Sequence, residues 1–350
     1  MNSTNLSKFV FIVNEDFFLR IGSTWIIDSV YLAVISPIGF IGFLLNLLCF
    51  FVLLKIKIKE TNVYEYLKIY SLNSSLICLT FGFLFLSHSP RYFNDFNNYY
   101  VKIFKCRIFG YGTISLYFFN NLLDILIILD RISIFKANLR LLCLNKPYIL
   151  CSTLFIACFA INLCYFFSTD IASDETFFQS DSTSYCEQNA FIKTRAGFML
   201  NLLVIILRDI VTLILEIIFS ILLIYYYDRF KKMSINILGR DTQNQSLNDV
   251  NVLKRTIFEL NYRKREKRQQ LLIMTIILSI FSFVTHIIVA VVFVFLVLVI
   301  FIFQNRLIFF SLVTFGCFIM VSKHFLTIFI FYFFNVNFKK KFDELFFKRR

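Results

Sequence analysis

Long apolar segments separated by short polar stretches dominate the sequence. Seven of them reach the length of about 20 residues that a helix needs to cross about 30 Å of hydrocarbon. A backbone in lipid must satisfy its own hydrogen bonds, and these segments lack the alternation of a membrane β-strand. The pattern therefore predicts an all-α fold, a seven-transmembrane helix bundle. The predicted spans are Ile26–Leu54, Tyr64–Ser87, Ile103–Ile134, Pro147–Phe167, Phe198–Tyr227, Gln270–Phe303 and Leu307–Phe334.

Lysine and arginine are distributed unequally between the two sides of the predicted bundle. One side holds three such residues in 55–59, three in 136–146, eleven in 228–270 and six in 335–350. The opposite side holds nine in all, counting Lys105 and Arg107 at the start of the third span. Basic residues accumulate on the cytoplasmic side of membrane proteins. The distribution predicts a multi-pass plasma-membrane protein with its amino terminus outside and its carboxyl terminus in the cytoplasm.

Two shorter regions flank the bundle, which occupies residues 26–334. Residues 1–25 are predicted to be an extracellular tail, and residues 335–350 a cytoplasmic interfacial helix and tail. In this last region, large apolar residues recur at helical spacing beside three consecutive lysines, the pattern of a short amphipathic helix on a membrane surface. These apolar residues are Phe338, Phe342, Leu345 and Phe346.

Composition and charge narrow the class of protein. A chain of 350 residues that is 58% hydrophobic, with 48 Phe, has too much apolar surface for one soluble core. The net charge of +14 would suit a nucleic-acid-binding protein, but the basic residues flank the spans, where anionic lipid accounts for them. We expect membrane lipids and no nucleic acid as partners. Sequons at Asn2 and Asn5 lie on the predicted outer side and are candidate glycosylation sites.

Of the nine cysteines, only Cys106 and Cys186 face the predicted outer, oxidising side. We expect them to form a disulfide that ties the top of the third span to the loop between the fourth and fifth spans. The alternative is two unpaired thiols, which are reactive and usually avoided on exposed surfaces.

The spacing from Cys106 to Asp130-Arg131-Ile132, at the end of the third span, resembles that of rhodopsin-like (class A) G-protein-coupled receptors. The resemblance implies that Asp130 and Arg131 form a switch, in which the arginine is held at rest and then released to contact a heterotrimeric G protein. An arginine at the membrane boundary is costly unless paired, and an adjacent aspartate lowers that cost. Taken alone, the motif would also fit a snorkelling arginine with a neutralising neighbour.

Other motifs match the family in part. Asn46 resembles the polar asparagine of its first helix, and residues 335–342 are similar to its short helix along the inner membrane surface. Cys78 stands where the family has an aspartate, Phe281–His286 lacks the tryptophan and proline of helix six, and Thr327–Phe331 replaces Asn-Pro-x-x-Tyr. These departures, with the high Phe, Ile and Asn content, indicate a divergent invertebrate member.

Charged residues inside the spans are candidate functional sites. Asp124 lies two helical turns before Arg131 and therefore on nearly the same face. The resemblance puts Lys323 at the floor of the family's internal polar cavity. We hypothesise that Lys323 pairs with Asp124 near Asn120, so that a tethered ammonium takes the place of a bound sodium ion. The alternative is that each charge finds water or backbone separately.

Further polar residues lie in the fifth and sixth spans. Asp209 and Glu216 share a helical face, and Arg208 and His286 are candidates for a ligand cavity. The loop Ser168–Lys193 carries an excess of acidic residues that would attract a cationic or basic-peptide ligand. A solvated acidic loop without a ligand role is an equal alternative.

These observations predict a receptor that binds an extracellular ligand, a neuropeptide or a chemosensory small molecule, and activates a heterotrimeric G protein. The alternative is a multi-pass transporter or a ligand-gated channel, although the helices broken by Gly or Pro that typify transporters are not visible. The three histidines lie in separate spans and there is no hydrolase motif. We therefore predict no enzymatic activity, no metal site and no cofactor.

Epitope tags at the two ends of the chain test the predicted number of crossings. In intact cells an antibody should reach an amino-terminal tag, but a carboxyl-terminal tag only after permeabilisation, because seven crossings leave the ends on opposite sides. Immunofluorescence before and after permeabilisation is the measurement and supplies its own control. Equal access to both tags in intact cells would contradict the topology.

Overall fold

The chain folds into a bundle of long helices. The computed structural model describes residues 29–56, 62–83, 103, 109–135, 146–171, 186–188, 194–244, 252–298 and 306–347. Within these residues seven long helices are followed by a short one, so the prediction of an all-α bundle with a short carboxyl-terminal helix is confirmed. We refer to the end of the bundle at which the third helix finishes as the Arg131 end.

The helices are numbered in chain order. They are α1 (Ser36–Leu54), α2 (Val63–Gly82), α3 (Thr113–Ser133), α4 (Pro147–Ile161), α5 (Arg195–Ile205 and Thr212–Asn244), α6 (Val252–Leu298), α7 (Arg306–Phe334) and α8 (Val336–Phe346). A π-helical segment, Ile206–Val211, joins the two parts of α5, another, Tyr31–Ile35, precedes α1, and a short helix, Leu163–Ser168, continues α4.

The distribution of side chains is that of a membrane protein. Leu44, Ile156 and Ile221 lie on the outer surface and are more than 60% exposed, whereas Asp124 and Lys323 are buried in the bundle. In water an apolar exterior of this kind would be unfavourable. In lipid the apolar exterior is favourable, and charged side chains are placed inside the bundle, away from the lipid. Within the described ranges, α1, α3, α6 and α7 contain stretches long and apolar enough to cross a membrane.

Glycine sets the distance between α1 and α2. A Cβ atom on Gly39 would lie 2.5 Å from the backbone nitrogen of Gly82 and 2.8 Å from the carbonyl oxygen of Cys78. A Cβ atom on Gly42 would lie 2.9 Å from the Cys78 sulfur. Lipid removes the hydrophobic drive for helices to associate, so close backbone contact through small residues is what stabilises such a pair.

Asn335 anchors α8 at the Arg131 end. Its side-chain oxygen accepts hydrogen bonds from the backbone nitrogen of Phe338 at 3.0 Å, which caps the helix, and from the Tyr64 hydroxyl at 3.3 Å. The Phe338 ring is buried against Phe331 of α7, while the two lysines that follow it are exposed. α8 is therefore amphipathic.

The structure differs from the sequence-based expectation in two places. α5 continues to Asn244 and α6 begins at Val252, well beyond the predicted spans. The predicted spans end where the apolar residues end. The helices continue further, because Lys, Arg, Glu and Gln all favour a helix outside lipid. In addition, β1 (Thr169–Ile171) pairs antiparallel with β2 (Cys186–Gln188) in the loop between the fourth and fifth spans. Strands of three residues are too short to show alternation in a sequence.

Gly39→Ala is expected to destabilise the protein, because the added Cβ must push α1 away from α2. Overpacking of this kind typically costs about 1–3 kcal/mol. The measurement is the apparent melting temperature of the purified protein in detergent. The matched control is Gly112→Ala, since a Cβ there would meet no atom within 4 Å. Equal melting temperatures for the two variants would contradict close packing at Gly39.

Candidate functional site

A closed triangle of hydrogen bonds lies between α3, α6 and α7. The Lys323 ammonium donates to Asp124 Oδ2 at 3.0 Å and to Ser282 Oγ at 2.8 Å. The Ser282 hydroxyl donates to the same Asp124 oxygen, also at 2.8 Å. Each helix contributes one residue, and α6 joins the ion pair through a neutral hydroxyl.

Burial decides the energetics of this ion pair. Both charged side chains are 1% exposed, so each has lost its hydration and depends on the partner and on hydrogen bonds for compensation. The Tyr117 ring lies 5.9 Å from Lys323 Nζ, a cation–π contact. Asp124 Oδ1 has no hydrogen-bond partner among the described residues. The pair therefore stabilises the bundle in one relative placement of its three helices.

Asn120 lies one turn before Asp124 on α3 and is hydrogen-bonded to α2. Its side-chain oxygen accepts from Asn73 Nδ2 at 3.2 Å and from Ser74 Oγ at 3.4 Å. Asn73 Nδ2 also donates to the carbonyl oxygen of Leu116 at 2.9 Å. Asn120 thus joins α3 to α2, one turn away from the ion pair along α3.

Asn46 joins α1 to α7. Its amide nitrogen donates to the carbonyl oxygen of Gly42 at 2.8 Å and to that of His324 at 2.9 Å. The His324 ring is 3.0 Å from Ser74 Oγ, measured from Nδ1. Polar side chains of this kind link helices in lipid, where water does not compete for them.

A second buried pair joins α5 to α6. Glu216 Oε2 lies 3.2 Å from His286 Nδ1, and both side chains are 2% exposed. The His286 ring stands edge-on to the Tyr117 ring, with centroids 6.1 Å apart. Arg208 and Asp209, one residue apart on α5, form a bidentate pair at 2.8 and 2.6 Å. The structure therefore gives His286 a carboxylate partner, and Arg208 a partner on its own helix.

Asp130 and Arg131 lie at the end of α3. An Arg131 amino group donates to Asp130 Oδ2, and both side chains are buried. Arg131 is 1% exposed, and its Nε has no hydrogen-bond partner among the described residues. Such a buried guanidinium depends on its neighbouring carboxylate, and any change that separates them would make the arginine available to a partner.

Some predicted site residues fall outside the described ranges. These are Asn2, Asn5 and Cys106, whereas the backbone of Cys186 lies in β2. The disulfide and the glycans stay predictions. Within the described ranges there is no group of three or more His, Cys, Asp or Glu that could hold a metal ion.

The polar network contains residues that the sequence did not single out. Ser282, Ser74 and Tyr117 carry no charge. The sequence does not indicate which residue the hydroxyl group of such a side chain contacts within an apolar span. Glu216 and His286 were visible as intramembrane polar residues, but their pairing across α5 and α6 depends on the relative rotation of two helices.

Comparison with known proteins addresses the fold. No protein-family model matches the sequence, and no curated protein sequence matches it. The crystal structure of squid rhodopsin matches with a TM-score of 0.63 over 91% of this chain and 86% of that chain, at 12% sequence identity. The chain has a rhodopsin-like fold. At this identity the likeness concerns the fold alone, so the role of each residue in the rhodopsin-like bundle depends on its own contacts.

A double-mutant cycle tests the ion pair in this rhodopsin-like bundle. Asp124→Asn and Lys323→Met should each lower stability by about 3–5 kcal/mol, because each leaves one buried charge alone. The double variant should recover most of that loss. Thermal unfolding and surface expression are the measurements, and Ser282→Ala is a control expected to cost less. A double variant no better than the worse single variant would remove support for the pairing.

Proposed function

We propose that this chain is a G-protein-coupled receptor that passes a signal from a ligand to a heterotrimeric G protein at the Arg131 end. The observation that carries the proposal is a rhodopsin-like fold with Asp130 and Arg131 buried in contact at the end of α3. Helices in such a fold can shift as rigid bodies. A shift of this kind could separate the Arg131 guanidinium from the Asp130 carboxylate.

The proposed switch is an equilibrium between two arrangements. In the resting arrangement Arg131 is held by Asp130, and in the active one it is free to contact the G protein. A ligand shifts the equilibrium only as far as it binds one arrangement more tightly than the other. Arg131 is the proposed centre of the G-protein surface, and the basic residues of the long α6 extension contribute the rest.

The ion pair of Asp124 and Lys323 is proposed to set the resting arrangement. Its ammonium is covalently tethered to α7 and occupies the place of a mobile cation. Movement of α6 away from both α3 and α7 would break both hydrogen bonds of Ser282. The triangle therefore favours the closed bundle, and ligand binding must supply enough differential affinity to open it.

We propose that the amino terminus is extracellular and that the protein resides in the plasma membrane, as the distribution of basic residues indicates. The ligand would then approach from the end opposite Arg131, beneath a rim held by the proposed Cys106–Cys186 bridge. Arg208 and His286 are the proposed polar contacts, and a neuropeptide or a chemosensory small molecule is the proposed class of ligand.

Nucleotide exchange on a purified heterotrimer tests the proposal. A panel of neuropeptides and volatile or water-soluble small molecules is screened against the protein in lipid nanodiscs. Arg131→Ala should lower stimulated exchange by about 5–150-fold, the usual range of coupling between sites. Asp130→Asn should raise exchange without ligand, because it frees the arginine.

The matched control is Thr153→Val on the exposed face of α4, whose hydroxyl bonds only to its own helix among the contacts described, at Ile149 O. This variant should behave as the unaltered protein. A ligand-dependent current without any G protein, together with an inactive exchange assay, would instead favour a channel.

A further inference from the structure

Asp130 and Arg131 are neighbours on one helix, so a movement of α3 as a whole carries both residues together. The other helices therefore act on this pair through the cover that they give to it. Arg131 is buried although it lies in the last turn of α3. A partner at the Arg131 end can reach the guanidinium only after part of this cover has moved. The residues that form the cover therefore determine how readily Arg131 becomes available.

The cover differs between two faces of α3. Ile128 and Ile132 are one turn apart and form a packed cluster with residues of α5 and α6. Arg131 follows Ile127 by one turn, so these two residues lie on nearly the same face. Ile127 belongs to a second packed cluster and not to the first. The helices that pack around Ile127 are therefore also the ones that cover Arg131.

The cluster around Ile127 contains residues of α2, α7 and α8 as well as of α6. They include Tyr64 of α2, Phe331 of α7 and Phe338 of α8, all of which are buried. The Phe331 and Phe338 rings are in contact, with centroids 5.8 Å apart. Arg131 is therefore covered by α2 and by the junction between α7 and α8, in addition to α6.

The Tyr64 hydroxyl joins this cluster to α8 by hydrogen bonds. It donates to Asn335 Oδ1 at 3.3 Å and accepts from Asn337 Nδ2 at 2.9 Å. The same Asn335 oxygen caps α8 by accepting from the backbone nitrogen of Phe338. Arg131 acts electrostatically on the Tyr64 hydroxyl. The hydroxyl is therefore bound to the start of α8 and lies within electrostatic range of Arg131.

The position of Tyr64 depends on α8, because both hydrogen bonds of its hydroxyl involve residues at the start of that helix. A buried hydroxyl that loses its partners also lacks the hydration that it would have in water, so the separation is costly. While α8 stays docked, Tyr64 is held in the cover of Arg131. If α8 moved away, the hydroxyl would lose both partners, and the cover would lose the buried Phe338 ring as well. Water and a partner protein could then reach the guanidinium.

We propose that Tyr64 is a positioning residue of the Arg131 switch, through which the docking of α8 keeps the guanidinium buried. Among the hydrogen bonds of the described residues none joins Tyr64 to Arg131, so Tyr64 acts through burial and not through a direct bond. α8 then becomes a second element, besides α6, whose displacement exposes Arg131. The consequence for signalling rests on the proposed function, whereas the effect on burial does not.

The first experiment measures the accessibility of Arg131 and needs no G protein. Phenylglyoxal, which reacts with accessible guanidinium groups, is added to the purified full chain in lipid nanodiscs, and mass spectrometry follows the labelling of Arg131. Y64F retains the buried ring but loses both hydrogen bonds to the start of α8. Each hydrogen bond is worth a factor of about 2–10 in such an equilibrium. Labelling of Arg131 should therefore be about 4–100-fold faster in Y64F than in the unaltered protein.

Two further variants are the comparisons. N337A should give a smaller rise, because it removes one of the two hydrogen bonds of Tyr64. Y111F is the matched control, since it removes a tyrosine hydroxyl that donates to the Phe159 carbonyl oxygen at 2.9 Å near the opposite end of the bundle. Its Arg131 should react as slowly as in the unaltered protein. Equal labelling of Arg131 in Y64F and Y111F would overturn the proposal. So would an equal rise at the buried Arg208 in Y64F, which would indicate a general loosening of the bundle.

The second experiment measures basal nucleotide exchange and separates this proposal from the proposed function. Y64F should raise exchange together with the labelling of Arg131, but it should have no effect in an R131A background, because the group that it exposes is then missing. A rise that persists in that background would overturn the role of Tyr64. Faster labelling without exchange in any variant would retain that role and reject the receptor. Exchange that is the same in Y64F and in the unaltered protein would retain the receptor and reject the role of Tyr64 in its switch.

Discussion

The ion pair between Asp124 and Lys323 is the interaction on which the rest of the bundle depends. Desolvation makes it costly in any arrangement where the two charges are apart, and Ser282 ties a third helix to it. The pair joins α3 to α7, Asn120 joins α3 to α2, and Asn46 joins α1 to α7. The bundle is therefore organised around polar contacts inside and apolar surface outside, the inverse of a water-soluble helical protein.

Much of the fold could be predicted because lipid imposes a simple rule on the sequence. Each crossing needs a long apolar run, and these runs are visible without any knowledge of packing. The ends of α5 and α6 could not be predicted in the same way, since outside lipid the helix continues through polar residues. Charged residues such as Asp124 and Lys323 are conspicuous in such runs, but their neutral partners are not. Ser282 and Tyr117 acquire a role only from helix rotation and depth.

Helix α6 takes part in both of the buried charged pairs that join different helices among the described residues. Its Ser282 bonds to Asp124 of α3 and to Lys323 of α7, and its His286 lies 3.2 Å from Glu216 of α5. A displacement of α6 would therefore disturb both contacts.

The length of α6 has a mechanical consequence. The helix runs without interruption from Val252 to Leu298 and contains no proline, so it has no built-in hinge. About 45 Å separates Ser282 from Val252 at 1.5 Å per residue, and a tilt of about 5° at Ser282 would carry the far end through about 4 Å. α6 acts as a stiff lever: a sub-ångström adjustment beside the buried charges becomes a displacement the size of a side chain at its tip.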